Sequence, residues 1–365
     1  MAIEDNASIA LIPSGYKSGK LYSVIPDSGN GDFTHSRGST ATRVAASGLI
    51  ETVASGIPRL DYPLIDGVVQ DCPALLLEPS RTNIIPRSED INTGWSKSDV
   101  SITNNNTISP DGSQNAAKIT ENTNTSSHVI YDTLTGSVSP SITCYFSCFI
   151  KKGTKRYIQL REGYSNTQAN IDTNTFTLAN SSNLTDYEIE NYGNEWHRIS
   201  FKFTSNSSGN IQFACYLLDD SQNTSYTGDG TSYVYLWGAM VEQGSYPTSY
   251  IKTTSGQVTR SADACNGSGT SADINSVEGV LFAEIAALAD DGTYSLISLS
   301  DNSSNNFIII GYKDTTNTLF CDAVIGGTRF VSNPTTIINQ EQFNKICLKY
   351  KSGDTDIYFN GFKIL

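Results

Sequence analysis

Glu195-Trp196-His197-Arg198-Ile199-Ser200-Phe201-Lys202-Phe203 decides the fold class: after the aromatic Trp196 and two polar residues, apolar and polar side chains alternate residue by residue. Successive side chains of an extended chain point to opposite faces, so a period of two buries one face and wets the other. The same phrase returns as Gln342-Phe343-Asn344-Lys345-Ile346-Cys347-Leu348-Lys349-Tyr350. Working outward from the first phrase, Cys144 to Lys151, Arg156 to Arg161, His197 to Phe203, Ile211 to Leu217 and Ser232 to Val241 read as strands. Around the second, Gly279 to Ala286, Tyr294 to Leu299, Asn306 to Gly311, Thr318 to Ile325 and Asn344 to Lys349 do the same. Clusters of Asn, Ser, Thr and Gly separate them, and no segment has the period of an amphipathic helix. Short strands at this spacing predict antiparallel β-sandwiches.

A chain of 365 residues exceeds the length at which one core keeps growing. The expected division is an irregular, extended Pro/Gly-rich region at 1–90, a sandwich at 91–255, a linker at 256–275 and a second sandwich at 276–365. The first region holds most of the eleven prolines. Such punctuation leaves room only for short extended pieces, so it is expected to lie along other domains or subunits. Thr253 to Gly269, rich in Thr, Ser and Gly, reads as linker.

Hydrophobic residues make up 38% and charged residues 17%, a composition that orders rather than one that stays unfolded. The net charge of −13 repels phosphate backbones and anionic lipid, which argues against nucleic acid and against membrane insertion. Met1 to Lys20, with Glu4 and Asp5, has neither a basic n-region nor an apolar stretch of export length, so assembly in the cytoplasm is expected. Seven cysteines, an odd number without Cys-x-x-Cys spacing, read as reduced, buried small hydrophobes.

Phe33-Thr34-His35-Ser36-Arg37-Gly38-Ser39-Thr40-Ala41-Thr42-Arg43, with Gly48-Leu49-Ile50, Pro58-Arg59-Leu60-Asp61-Tyr62 and Leu75-Leu76-Leu77-Glu78-Pro79-Ser80-Arg81-Thr82-Asn83, resembles the N-terminal region of a family of phage virion and tail-fibre-like proteins. The resemblance continues through Trp95-Ser96-Lys97 and Trp237-Gly238-Ala239-Met240-Val241-Glu242 to Tyr246-Pro247-Thr248-Ser249-Tyr250-Ile251, where such proteins carry a jelly roll similar to carbohydrate-binding modules. Asp356-Ile357-Tyr358-Phe359-Asn360-Gly361 is similar to a hairpin of concanavalin-like or laminin-G-like lectin domains, and Asn360-Gly361 supplies the positive φ angles of a tight turn. Ser276 to Leu365 provides fewer strands than a laminin-G-like sandwich needs; the expectation is that the sequence continues further or that a neighbouring chain completes the sheet. The resemblance implies a virion location and a role in attachment or scaffolding, read as assembly with other virion proteins through the N-terminal region and contact with host surface glycans. A homo-oligomer, a trimer, is expected because a fibre gains avidity from several weak glycan contacts.

Catalytic chemistry finds little support in the sequence. The Glu-x-Asp-x-x-Glu strand of concanavalin-like glycosidases is missing, and the acid pairs Glu188/Glu190 and Asp354/Asp356 lie near polar turns. His35, His128 and His197 are far apart, without metal-ligand spacing. No cofactor is expected beyond a structural Ca²⁺, for which Asp229 in Gly228-Asp229-Gly230 is the candidate ligand, a turn being the plainer reading. Binding is better served, because sugar rings stack on aromatics while their hydroxyls seek planar polar groups. With Ile158 and Leu160 inward, Tyr157, Gln159 and Arg161 point outward; Tyr145 and Tyr216 do so on their strands. These five are the candidate glycan contacts, on one exposed face if their strands share a sheet. Trp95, Trp196 and Trp237 are assigned to cores. The function expected is that of a non-catalytic fibre or spike subunit, the alternatives being a decoration protein without ligand and a polysaccharide depolymerase.

Overall fold

Strand follows strand from Ala10 to Lys363 in the computed structural model, which describes residues 7–365 except Ser18, Ser276 and Ile338, with backbone alone for Pro13, Ser14, Phe330 and Asn333. Glu4 and Asp5 fall outside the described residues. Among the described residues there is no helix, so the chain is all-β. Its two compact units are Pro13–Tyr22 with Phe33–Asn266, and the remainder, in which Ser23–Asp32 joins Gly267–Leu365.

The larger unit is built on a jelly-roll sandwich. One sheet has six antiparallel strands in the order Val100–Thr107, Ala116–Glu121, Tyr233–Gln243, Thr143–Lys151, Trp196–Thr204 and Tyr187–Asn191. The facing seven-stranded sheet runs Ser96–Ser98, Thr125–Leu134, Ile211–Leu218, Tyr157–Glu162, Thr167–Asp172 and Thr177–Ser182, with Ser225–Thr227 paired to the start of Thr125–Leu134. Inward residues of both sheets, among them Cys144, Phe146, Cys148, Ile158, Leu160, Ile199, Phe201, Phe213 and Cys215, form one core. Phe146 stacks on Phe213 across the sandwich with ring centroids 3.4 Å apart, and Trp95 meets Phe213 edge-on at 5.6 Å. All three tryptophans are buried.

The outer face of the six-stranded sheet is covered by the chain itself. Phe149, Trp196, Trp237 and Met240, which alternate with the inward set, pack with Ile50, Tyr250 and Ile251 in a second cluster. Trp196 Nε1 donates to the Ile108 carbonyl at 3.0 Å. Residues 33–90 lie along the sandwich as expected and belong to this unit, with short strands that pair as Ala41–Val44 with Ile50–Val53, Arg59–Asp61 with Ala74–Leu76 and Arg81–Asn83 with Val258–Arg260.

Buried charges fasten this covering. Arg59, with no exposed surface, donates to Glu78 at 2.6 Å and to Asp263; Arg37 reaches Asp263 at 3.0 Å and Arg260 reaches Glu78 at 3.0 Å. Burial works against the charge of both carboxyls, yet the guanidinium groups outweigh it and hold Glu78 and Asp263 below their usual values. The expected linker at 256–275 is corrected accordingly: Val258–Arg260 and Ala264–Asn266 are strands, and Arg260 and Asp263 are counter-charges for residues far back in the sequence.

The C-terminal unit contains two antiparallel four-stranded sheets. One runs Glu278–Ile285, Asn344–Lys351, Asp356–Phe359 and Phe362–Lys363; the other runs Ser295–Ser300, Phe307–Tyr312, Thr318–Ile325 and Thr328–Thr336. Ile310, Tyr312, Leu319 and Cys321 of one sheet and Ile346, Leu348 and Ile357 of the other share a core. Asn360 and Gly361 have φ of 49° and 87°, the left-handed pair that the hairpin turn demands.

All cysteines are free; Cys144, Cys148, Cys215 and Cys321 are buried, Cys265 and Cys347 half-buried, and Cys72 is exposed, against expectation. Burial pushes the Cys144 and Cys215 thiols up to about 12, so they act as apolar filling.

Candidate functional site: the outer face of the seven-stranded sheet

Ile158 and Leu160 face the core, and this parity turns Tyr157, Gln159 and Arg161 to the outside of the seven-stranded sheet. Cross-strand register lines up Val129, Tyr216, Gln159, Asn170 and Asn180 in one row. The next row holds Tyr131, Ala214, Arg161, Gln168 and Ser182, and on the other side Leu218, Tyr157 and Asp172 stand together. Tyr157, Gln159, Arg161 and Tyr216 thus share a face. Tyr145 does not: Thr143–Lys151 pairs with Trp196–Thr204 and Tyr233–Gln243 in the opposite sheet, and Tyr145 is buried with its hydroxyl on Asp186. Alternation correctly turned it away from its own core, but successive jelly-roll strands cross between sheets, and alternation carries no information about which sheet a strand joins.

The face is also less open than alternation suggests. Arg156 lies over the Tyr157 ring, 4.7 Å from its centroid, while bonding Asp172 at 3.0 and 3.2 Å. Burial works against the Asp172 charge, but the Arg156 contact and the Asn174 backbone N–H prevail and hold the carboxyl below its usual value. Gln159 Nε2 donates to Asn170 Oδ1 at 2.8 Å, and Asn170 Nδ2 donates to Gln222 Oε1 at 3.1 Å. Tyr157 and Gln159 are therefore buried on the outer side, whereas Arg161 and Tyr216 are half-exposed.

Two polar groups on this face are incompletely used. Gln159 Oε1 is buried without a hydrogen-bond partner. Such a buried, unpartnered acceptor costs about 1–3 kcal/mol. Arg161 donates Nη2 to Asn166 Oδ1 at 2.6 Å, but its Nε has no partner and it forms no ion pair among the described residues. Beside the face, Lys155 lies 2.6 Å from Glu121 and 4.2 Å from the Tyr226 ring centroid, anchoring the chain that leads into Arg156.

Asn170, Asp172, Arg156 and Gln222 were not singled out from sequence. The alternation of Gln168-Ala169-Asn170-Ile171-Asp172 carries the signal for Asn170 and Asp172, since Ala169 and Ile171 are inward. Gln222, with φ of 65° in a polar turn, has no sequence signal.

The remaining candidates are placed elsewhere. Asp229 accepts from Thr231 N at 2.6 Å, Thr231 Oγ1 at 2.9 Å, Ser232 N at 2.7 Å and Ser232 Oγ at 2.6 Å, which commits its carboxylate to its own turn. These bonds, led by the Ser232 hydroxyl, hold its carboxyl far below the usual value. Among the described residues no group of three His, Cys, Asp or Glu is arranged to hold a metal ion. His35 bonds Asp263 at 3.2 Å, His128 lies between the Asp99 and Tyr226 carbonyls at 2.8 and 3.3 Å, and His197 stacks on Phe176 at 3.6 Å. Asp354 and Asp356 pair with Lys349 at 2.7 and 3.5 Å. Glu188 is exposed, while burial raises Glu190 to about 7 although Arg198 stands 3.9 Å away.

Fold and face together define an all-β chain with a jelly roll whose one outer face is covered by the chain itself and whose other carries half-exposed Tyr216 and Arg161 beside buried Tyr157 and Gln159. No protein-family model matches it and no curated protein does. Solved structures similar to parts of it include the CBM22-1 xylan-binding domain of Xyn10C from Paenibacillus barcinonensis, at 11% identity over 46% of this chain and 94% of that one, TM-score 0.27. The CBM22-1 and GH10 modules of a Clostridium thermocellum endo-1,4-β-D-xylanase 10B, complexed with xylohexaose, match at 16% identity over 45% of this chain and 28% of that one, TM-score 0.27. The tripod (BppUct-A-L) from the baseplate of bacteriophage Tuc2009 matches at 10% identity over 76% of this chain and 99% of that one, TM-score 0.22. Likenesses this distant carry no weight for ligand or partner.

Proposed function

We propose that this chain is a non-catalytic structural subunit of a bacteriophage particle, a fibre or spike component, that holds host surface glycans on the outer face of its seven-stranded sheet. The observation that supports this most is the contrast between the two faces of the jelly roll. One is sealed by the chain's own residues around Ile50, Tyr250 and Ile251, while the other keeps Tyr157, Gln159, Arg161 and Tyr216 together with unspent hydrogen-bonding capacity. Tyrosine rings and planar polar side chains on one rigid sheet are what a sugar's apolar faces and hydroxyls require. The sequence resemblance adds the virion location and assembly through the N-terminal region, and the gain in avidity from several weak contacts supports a trimer.

A glycan array probed with the whole chain and with a Tyr157→Ala, Arg161→Ala double variant tests the site. Loss of the bound spots in the variant is expected. Unchanged binding removes this face from the proposal.

A further inference from the structure

We infer that the outer face of the seven-stranded sheet takes a sugar bearing a carboxylate, an acidic polysaccharide of the uronic-acid type, with Arg161 receiving the carboxylate and Gln159 a ring hydroxyl. The inference rests on the glycan-holding reading of this face and specifies its ligand.

The charge arrangement carries it. Arg156 and Arg161 both stand at this sheet, but only Arg156 has a counter-ion, Asp172 at 3.0 Å. The Arg161 guanidinium meets one neutral amide oxygen and no carboxylate, and its Nε points at no acceptor. A planar guanidinium presents N–H groups in a fork that matches a carboxylate, and charge-assisted bonds of this kind are about twice as strong as neutral ones. Carboxylates could have neutralised it: the chain has 37 acidic residues, yet none forms an ion pair with Arg161 among those described. A guanidinium left half-buried and uncompensated in a protein of net charge −13 is arranged for an anion brought from outside.

Geometry supplies the second contact. Gln159 and Arg161 are two residues apart on one strand and face the same way, so they are separated by about 6.7 Å along the sheet, a span that one pyranose ring covers from its carboxylate to its far hydroxyls. Gln159 Oε1, buried without a partner, can accept from a sugar hydroxyl. Gln159 is buried, so a ligand reaches it as the side chains around it move aside. Tyr216, opposite Gln159 in the same row, offers a ring for stacking.

The test is affinity electrophoresis of the whole chain at near-physiological salt in gels containing polygalacturonate, alginate or hyaluronate, each against its methyl ester, with xylan, β-glucan and mannan as neutral polymers and poly(glycerol phosphate) as a phosphate polymer. The protein's net negative charge makes non-specific attraction to polyanions a poor imitation of binding. At least one acidic polymer is expected to bind at least about tenfold more tightly than its ester. Arg161→Gln should remove that preference, Arg161→Lys should keep part of it, and both should unfold at the wild-type urea midpoint. Equal binding of acid and ester, acid binding undiminished in Arg161→Gln, or preference for poly(glycerol phosphate) over every uronate overturns the inference. Binding of a neutral polymer that needs Gln159 but not Arg161 also overturns it, while leaving the glycan-holding reading intact. No binding to any polymer ends both.

Discussion

Asp263 accepts from Arg37 and Arg59 while Glu78 accepts from Arg59 and Arg260, so each carboxylate serves two guanidinium groups in a nearly waterless setting. Removing one member leaves a buried charge uncompensated, which costs about 3–5 kcal/mol. Asp263→Asn is therefore expected to lower the urea midpoint of the larger unit strongly, and Glu78→Gln likewise; a midpoint within error of wild type would show the cluster to be dispensable. Asp61 behaves in the opposite way. Burial raises its carboxyl from the ordinary 3.8 to about 6, despite the Val44 N–H that it accepts at 2.8 Å. Between about pH 4 and 6 the folded chain holds a proton at Asp61 that the unfolded chain has released, so stability falls as pH rises through that window; Glu190, raised to about 7, extends the decline. Glu78 and Asp263, both lowered, contribute stability that disappears as pH falls below the unfolded carboxylate range. Denaturation midpoints measured from pH 3 to 8 should pass through a mildly acidic maximum, and Asp61→Asn should flatten the limb above it. Neither cluster was legible in the sequence: Arg59 and Asp263 lie 204 residues apart, and nothing in a Thr/Ser/Gly-rich stretch marks an aspartate as a buried counter-ion.

At the scale of the strand, the repeated phrase proves to be the same kind of element twice. Trp196–Thr204 lies between Thr143–Lys151 and Tyr187–Asn191, and Asn344–Lys351 lies between Glu278–Ile285 and Asp356–Phe359, each an interior strand of its sheet. The aromatic at its head differs, since Trp196 is buried whereas Phe343 is exposed and precedes its strand. Ile346 sits fully buried beside Leu348 in the C-terminal core. Truncating it to alanine is expected to cost about 2–5 kcal/mol and to speed amide exchange in Asn344–Lys351 and its two neighbours; exchange at the wild-type rate would mean that this core does not hold the sheet. Periodicity made such strands readable to within a residue or two, as with Thr143–Lys151 and Tyr233–Gln243, because burial of one face writes itself into every second residue. Sheet membership is a long-range property, and so Tyr145 was grouped with Tyr157 although the two belong to opposite layers.

For the molecule as a whole, the proposed contact surface is small: a few residues of three neighbouring strands, with one guanidinium and one amide carrying most of the specificity. A site of this size binds a single sugar segment weakly, because ordering the ligand cancels much of what few hydrogen bonds return. Attachment then has to come from number. If three copies present the face together, the second and third contacts become intramolecular, and avidity can exceed the single-site affinity by about 10²–10⁴ without any new contact. Sedimentation should therefore give a mass three times that of the chain, and retention on a dense glycan surface should exceed the affinity for a short soluble fragment of the same glycan by at least about a hundredfold. A variant that stays monomeric should keep the fragment affinity and lose the surface retention. Equal affinity for fragment and surface, with a monomer in sedimentation, would leave this face to act alone and would remove the multivalent attachment that a fibre or spike provides.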